Sequence, residues 1–112
     1  RLVKKICTNC KEEYLSNSFE NNLLELKDSI VLSKGAGCSK CYNTGYSGRI
    51  GIHEVMKVDQ NMRNIIYKGG STDELMDEAI KNGMTTLRDN CRQLVLEGIT
   101  SVEEYSQVVY KL

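Results

Sequence analysis

Proline and tryptophan are absent from this 112-residue chain, and histidine and phenylalanine occur once each. With no proline, no segment is marked as a stiff spacer, so boundaries must be read from glycine and from changes in hydrophobic period. No apolar run approaches the roughly 18 residues that suggest a membrane-spanning helix. Nor does any charged start followed by an apolar core resemble a signal peptide. The chain therefore reads as cytosolic, without direct membrane insertion. An excess of one charge is missing too, since 15 Lys and Arg face 15 Asp and Glu. No basic run exceeds Lys4-Lys5, which removes the electrostatic footprint of a nucleic-acid module.

Catalytic signatures are equally scarce. Lys68-Gly69-Gly70-Ser71-Thr72 superficially resembles a phosphate-binding loop, but that motif needs lysine after the glycines and directly before Ser or Thr. Here the order is wrong, and no P-loop occurs anywhere in the chain. The carboxylates Asp73, Glu74, Asp77 and Glu78 sit toward the start of an expected helix, where the macrodipole accounts for them. Cys91 falls at helical spacing between Leu87 and Leu94 and is expected to be core filler. A nucleophile there would want a base, and His53 lies on a different element. No catalytic residue is expected in this chain.

What the sequence does contain is five cysteines, four of them in two identical knuckles. Cys7-Thr8-Asn9-Cys10 and Cys38-Ser39-Lys40-Cys41 each have the form C-x2-C and are separated by residues 11–37. Two residues between cysteines let both sulfurs of a tight turn face one point, and two such turns supply the four thiolates of a closed tetrahedral zinc site. Cys7, Cys10, Cys38 and Cys41 are therefore the expected ligands of a structural Zn2+. Residues 11–37 exceed the commonest zinc-ribbon gap, so the second knuckle must return from a folded excursion. A divalent metal with four thiolates carries a local charge of about −2. Lys4, Lys5, Lys11, Lys40 and Arg49, close to the knuckles in sequence, either offset it or are ordinary solvated cations. His53 could in principle replace a thiolate, but four cysteines already complete a tetrahedron.

Around the knuckles the periodicity predicts an α+β chain. Phe19, Leu23, Leu26 and Ile30 recur at helical steps behind a candidate cap at Ser18. Ile30-Val31-Leu32 suggests a short strand leading to Gly35-Ala36-Gly37. The run from Gly48 to Met56 predicts another strand, with Ile50 and Ile52 on one face and Arg49 and His53 on the other. Asp59 is expected to cap a helix with Met62, Ile65 and Ile66 inward. Ser71-Thr72-Asp73-Glu74 has capping-box form ahead of Leu75, Met76, Ala79 and Ile80. A third helix is expected to bury Leu87, Cys91, Leu94 and Val95. A fourth, capped from Thr100-Ser101, should bury Val102, Tyr105, Val108, Val109 and Leu112. The expected layout is a zinc-binding subdomain over residues 1–56, with a helix, short strands and two knuckles, followed by a small helical bundle over 57–112. The tyrosines at positions 42, 46, 67, 105 and 110 lack interleaved basic residues and are read as packing and interface groups.

Several of these segments together are similar to one known family. Arg1-Leu2-Val3, both knuckles, Thr44-Gly45-Tyr46-Ser47-Gly48-Arg49 and Gly51-Ile52-His53-Glu54 resemble the tetracysteine region of the type II secretion and type IV pilus assembly ATPases. Gly83 to Asp89 and Glu97 to Glu104 resemble the same family's C-terminal end. Asn90-Cys91 departs from the family, which often has glycine after the aspartate. The resemblance implies a parent that is a cytoplasmic, hexameric P-loop ATPase acting at the inner membrane. Its ATP and Mg2+ would be held outside this segment, and its partners would be other subunits of the hexamer and an inner-membrane platform protein. Arg1 in place of methionine is consistent with a segment of a longer chain. The family's retraction ATPases lack the tetracysteine element, so its presence favours the assembly or secretion branch. Two other readings remain open from the residues alone. One is a zinc-ribbon nucleic-acid-binding module, and the other is a redox protein with a rubredoxin-like iron site or a cycling CxxC pair.

Overall fold

The computed structural model describes residues 1–55 and 58–110. Strand β1 (Leu2–Ile6) runs into the first knuckle, which turns the chain into β2 (Lys11–Leu15). Helix α1 (Ser18–Leu23) and a loop bring it back as β3 (Val31–Gly35). The second knuckle, a 3-10 turn over Ser39–Cys41, hands it on to β4 (Tyr46–Gly51). β1 pairs antiparallel with β4, and β2 antiparallel with β3, so one ribbon is nested inside the other. Both knuckles sit at the corner where the chain passes from one ribbon to the other. The folded excursion expected between the cysteines is this inner ribbon with α1.

Four further helices follow: α2 (Gln60–Tyr67), α3 (Thr72–Lys81), α4 (Leu87–Leu96) and α5 (Val102–Tyr110). The architecture is α+β, with five helices and two antiparallel ribbons among the described residues. Side-chain caps start the helices where polar residues precede apolar periods. Asp59, Ser71 and Thr86 accept from the backbone N–H groups of Met62, Glu74 and Asp89, each such cap being worth about 1 kcal/mol. Gly83 and Gly98, both at positive φ, follow α3 and α4 and end them.

A two-stranded ribbon is marginal in water and must pack against something. Here the packing partner is the C-terminal pair α4 and α5. One core joins Val3, Leu24, Leu32 and Ile52 to Cys91, Val95, Val102, Tyr105 and Val108, so residues before and after position 56 share it. Polar groups seal the joint. The loop between α4 and α5 lies along β1, with the Ile6 N–H donating to the Ile99 carbonyl at 2.8 Å. The Thr100 hydroxyl donates to the Lys4 carbonyl at 2.6 Å, and the Lys4 N–H to Glu104 Oε1 at 2.7 Å. Glu104 is buried without being isolated, since it satisfies the edge of β1. Arg92 Nε donates to the Leu24 carbonyl at 2.8 Å and closes the end of α1. By contrast, α2 and α3 pack chiefly on each other, burying little beyond Met62 and Ala79.

Several expectations need correction. The cap of α1 is Asn17, which forms a reciprocal capping box with Glu20, and the helix stops at Leu23. Positive φ at Glu25 then reverses the chain. The step of three and four therefore does not continue to Ile30 as one helix. The buried face carries Glu20 and Leu24, and Phe19 is 64% exposed. The strand expected from Gly48 begins at Tyr46 and ends at Gly51; Ile52 is buried just beyond it, while Arg49 and His53, expected on the opposite face, are exposed. Met56, assigned to that strand, and Leu112, assigned to the core, lie outside the described residues. Ile66, Met76 and Ile80 face outward because α2 and α3 have no core of their own to cover them.

Tyr105→Ala should therefore cost about 3–5 kcal/mol, because it empties the centre of the shared core. Phe19→Ala should change stability by no more than about 0.5 kcal/mol. Urea midpoints at unchanged slope check both.

Candidate metal centre

The four knuckle cysteines converge. Their sulfurs all lie within 4.8 Å of one another. Cys7 Sγ is 3.8 Å from Cys38 Sγ, Cys10 Sγ is 3.8 Å from Cys41 Sγ, and Cys38 Sγ is 3.6 Å from Cys41 Sγ. None of the four is in a disulfide, and these separations are far too long for one, whose sulfurs stand about 2.05 Å apart. Zinc–sulfur bonds of about 2.3 Å in a tetrahedron require sulfur–sulfur edges of about 3.8 Å. The residues present thus fit a tetrathiolate metal ion. Iron in four-sulfur coordination would fit the same donor set, so the geometry defines the class of ligand and leaves the element open.

The local fold sets those positions. Cys7 N–H donates to the Gly45 carbonyl at 2.9 Å, and Ala36 N–H to the Cys10 carbonyl at 3.1 Å, which ties each knuckle to the strand on the other side of the corner. Gly35 and Gly45 pass backbone to backbone. A Cβ on Gly35 would sit 2.0 Å from the Gly45 oxygen, and one on Gly45 would sit 2.6 Å from the Gly35 oxygen. Gly45 also has φ +81, a conformation that costs little only for glycine.

Amide donors surround the sulfurs. Gly37 N–H reaches Cys10 Sγ at 3.3 Å, and Cys38 N–H and Gly45 N–H reach Cys41 Sγ at 3.3 and 3.2 Å. The Asn9 carboxamide reaches Cys38 Sγ at 3.2 Å. The thiols are tuned unequally as a result. Burial alone would raise Cys41, but the Cys38 and Gly45 amides overcome it and bring the thiol down to about 6. Cys10 is pushed up to about 11, first by burial and then by its thiol neighbours, against the single Gly37 amide. Cys38 is held below the ordinary thiol value, first by Asn9 and against its own burial. Cys7 and Cys41 are buried, whereas Cys10 and Cys38 are half-buried.

The remaining candidates fall elsewhere. His53 is outside the cluster; its backbone N–H donates to Asn90 Oδ1 at 3.1 Å, and its ring lies against Gly51. Asn90, at the departure from the family pattern, thus ties the end of β4 to α4. Cys91 is fully buried, and its thiol is pushed up to about 11, first by burial, as suits core filler. The donors to sulfur described above are uncharged amides rather than the neighbouring lysines. Lys4 instead lies over the Tyr46 ring at 5.5 Å, and Tyr46 bonds Ser101 Oγ at 2.7 Å. Reading the sequence missed Asn9 and Gly45 as sulfur partners. The Gly35-Ala36-Gly37 cluster was the signal that amides would approach the sulfurs.

The fold and this corner define an α+β domain organised around four converging cysteine sulfurs, with no helix among the described residues long and apolar enough to cross a membrane. A family model described as "Type II/IV secretion system protein" matches residues 1–107, and the chain belongs to that family. It is similar to the "Type IV pilus assembly ATPase PilB" of Thermus thermophilus, at 39% identity over 93% of this chain and 12% of that protein. It is also similar to the "Type II secretion system protein E" of Pseudomonas aeruginosa, at 38% identity over 96% of this chain and 22% of that protein. The "Type II secretion system ATPase E" of Vibrio cholerae matches at 34% identity with the same coverage. The chain thus spans between 12% and 22% of the length of these relatives.

Gly45→Ala combines a disfavoured φ with a clash against backbone, at a site where strain alone costs about 1–3 kcal/mol. It should lower the melting temperature and speed loss of metal to a chelator. Gly83→Ala, with positive φ but nothing within 4 Å of the added Cβ, should leave metal retention unchanged.

Proposed function

We propose that this chain is the zinc-stabilised C-terminal segment of a type IV pilus assembly or type II secretion ATPase. In this reading Cys7, Cys10, Cys38 and Cys41 bind one Zn2+, which supplies a redox-silent cross-link. The chain's own residues do the rest: the knuckles fix the corner between the two ribbons, and α4 and α5 buttress β1 from the other side. The segment works as a structural coupling and interaction element of a cytoplasmic hexameric motor, facing other subunits and the inner-membrane platform protein. ATP and Mg2+ belong to a part of the parent outside these residues. The division at 56 and 57 then separates the metal-bearing unit from the helices as functional regions, although they share a core.

The sulfur–sulfur edges of 3.6 to 3.8 Å carry this reading, in a chain whose relatives are named as pilus assembly and secretion ATPases. Iron of rubredoxin type and a nucleic-acid module are the competing outcomes of the test.

Protein purified without added metal should be colourless and contain one equivalent of zinc by mass spectrometry. Visible absorbance from iron, or no metal together with unchanged folding in chelator, overturns the reading. Structural zinc contributes about 10 to 16 kcal/mol in small peptides, comparable to or above the roughly 5 to 15 kcal/mol that holds a whole domain, so stripping it should abolish the near-ultraviolet signal of the ribbon tyrosines. The isolated chain should neither hydrolyse ATP nor retain DNA or RNA in low-salt filter binding. In the full-length parent, paired Cys38→Ser and Cys41→Ser replacements should impair pilus assembly or secretion more than ATP hydrolysis. An equal loss of both would place the segment in the hydrolytic step instead.

A further inference from the structure

We propose that Asn9 is a positioning residue of the metal centre: its side-chain amide clasps Cys38 of the opposite knuckle, sets the electron density of that sulfur and slows the ion's escape. This rests on the reading of the four cysteines as metal ligands.

Three of the four N–H donors described at the sulfurs belong to the backbone and come with the fold. Asn9 is the side chain among them, and its choice is free in sequence, since either position inside a C-x2-C knuckle tolerates many residues geometrically. Its carboxamide Nδ2 stands 3.2 Å from Cys38 Sγ, within the range of an N–H···S bond. The partner is not in its own knuckle. In return, Gly37 at the entry of the second knuckle donates to Cys10 Sγ at 3.3 Å. The two knuckles therefore hold each other by reciprocal donors, and the sulfurs so held, Cys10 and Cys38, are the half-buried pair. Cys41 lies deeper and receives both of its donors from its own side of the corner, Cys38 three residues before it and Gly45 four residues after it.

The chemistry follows from charge. Four thiolates around a divalent ion leave a cluster charge of about −2, and a donor aimed at an ionised sulfur makes a charge-assisted bond of roughly twice the strength of a neutral one. Such a bond draws density from the sulfur and holds its orientation. Removing partners of this kind typically lowers metal affinity about 10- to 100-fold. On the half-buried side of the centre the amide also occupies a direction from which water or a competing chelator would approach Cys38.

The test compares the unaltered chain with Asn9→Ala, the isosteric Asn9→Asp, and Thr8→Ala as a neighbour in the same knuckle. Zinc affinity is measured by competition with a chromophoric chelator, and each protein is then loaded with cobalt(II) and its sulfur-to-cobalt charge-transfer band recorded. Asn9→Ala should weaken zinc binding about 10- to 100-fold, and its band should move to lower energy as Cys38 becomes more electron-rich. Asn9→Asp, which replaces a donor with an anion of the same shape, should bind more weakly still, and Thr8→Ala should match the unaltered chain. Unchanged affinity and band position in Asn9→Ala overturn the proposal. So does weakened binding with an unshifted band, which marks Asn9 as a merely structural turn residue. Failure of the unaltered chain to take up either metal instead removes the metal reading itself.

Discussion

The fold depends on one corner being held closed. Two ribbons of two strands each meet where the chain leaves β1 for β2 and again where it leaves β3 for β4. Neither ribbon has the three strands that independent stability calls for. The four sulfurs gather at this double crossing, and the backbone there is drawn so close that Gly35 and Gly45 leave no room for a side chain. Backbone bonds across the corner, from Cys7 to Gly45 and from Ala36 to Cys10, fix the approach. A bound ion would lock what these bonds arrange. Without such a lock, four ionisable thiols crowded to within 4.8 Å would repel as they ionise.

The corner is supported by the C-terminal helices. The α4–α5 loop bonds the free edge of β1, and Tyr105, Val108 and Val95 fill the core beneath the ribbons. Lys4 thus joins α5 to the outer ribbon: it is bonded to Glu104 and Thr100 on one side and paired with Arg49 on the other. Helices α2 and α3 share little of this. Their coherence comes from caps and mutual packing, with Ile66 and Ile80 left at the surface. The chain therefore has a tightly tied end around the sulfurs and a loosely tied helical hairpin. Low-stability elements of that kind are the ones that open first.

Much of this was legible before any coordinates. The knuckle spacing located the four sulfurs, and the polar residues Asp59 and Ser71 preceded real helices. Cys91 at helical spacing between leucines was correctly read as core. Errors came where local period and tertiary packing disagree. Phe19 satisfies a helical step, but α1 is only six residues long and the core takes in Leu24, whose carbonyl Arg92 of α4 caps, and a period of three and four cannot reveal that. Strand β2, Lys11-Glu12-Glu13-Tyr14-Leu15, carries no apolar alternation strong enough to be seen. It exists because β3 pairs with it in register from Leu15–Val31 to Lys11–Gly35. The shared core was hidden for the same reason, since sequence patterns show which faces are apolar and not which faces meet.

The four cysteines sit in a shielded corner. Reactive cysteines sit in electropositive, accessible surroundings with a helix start or a base beside them. Here two of the four cysteines are buried, the donors described around them are neutral amides, and His53 lies outside the cluster with its ring against Gly51. Neutral donors spread negative charge without supplying a proton or inviting an anionic substrate, and they are placed by backbone that cannot turn away. Lys4 is diverted onto the Tyr46 ring, so a cation nearby in sequence is spent on packing the β1–β4 face. The arrangement is one that could hold a metal ion between the ribbons, at a corner that β1 ties directly to Glu104 of α5 and to Thr100 just before it.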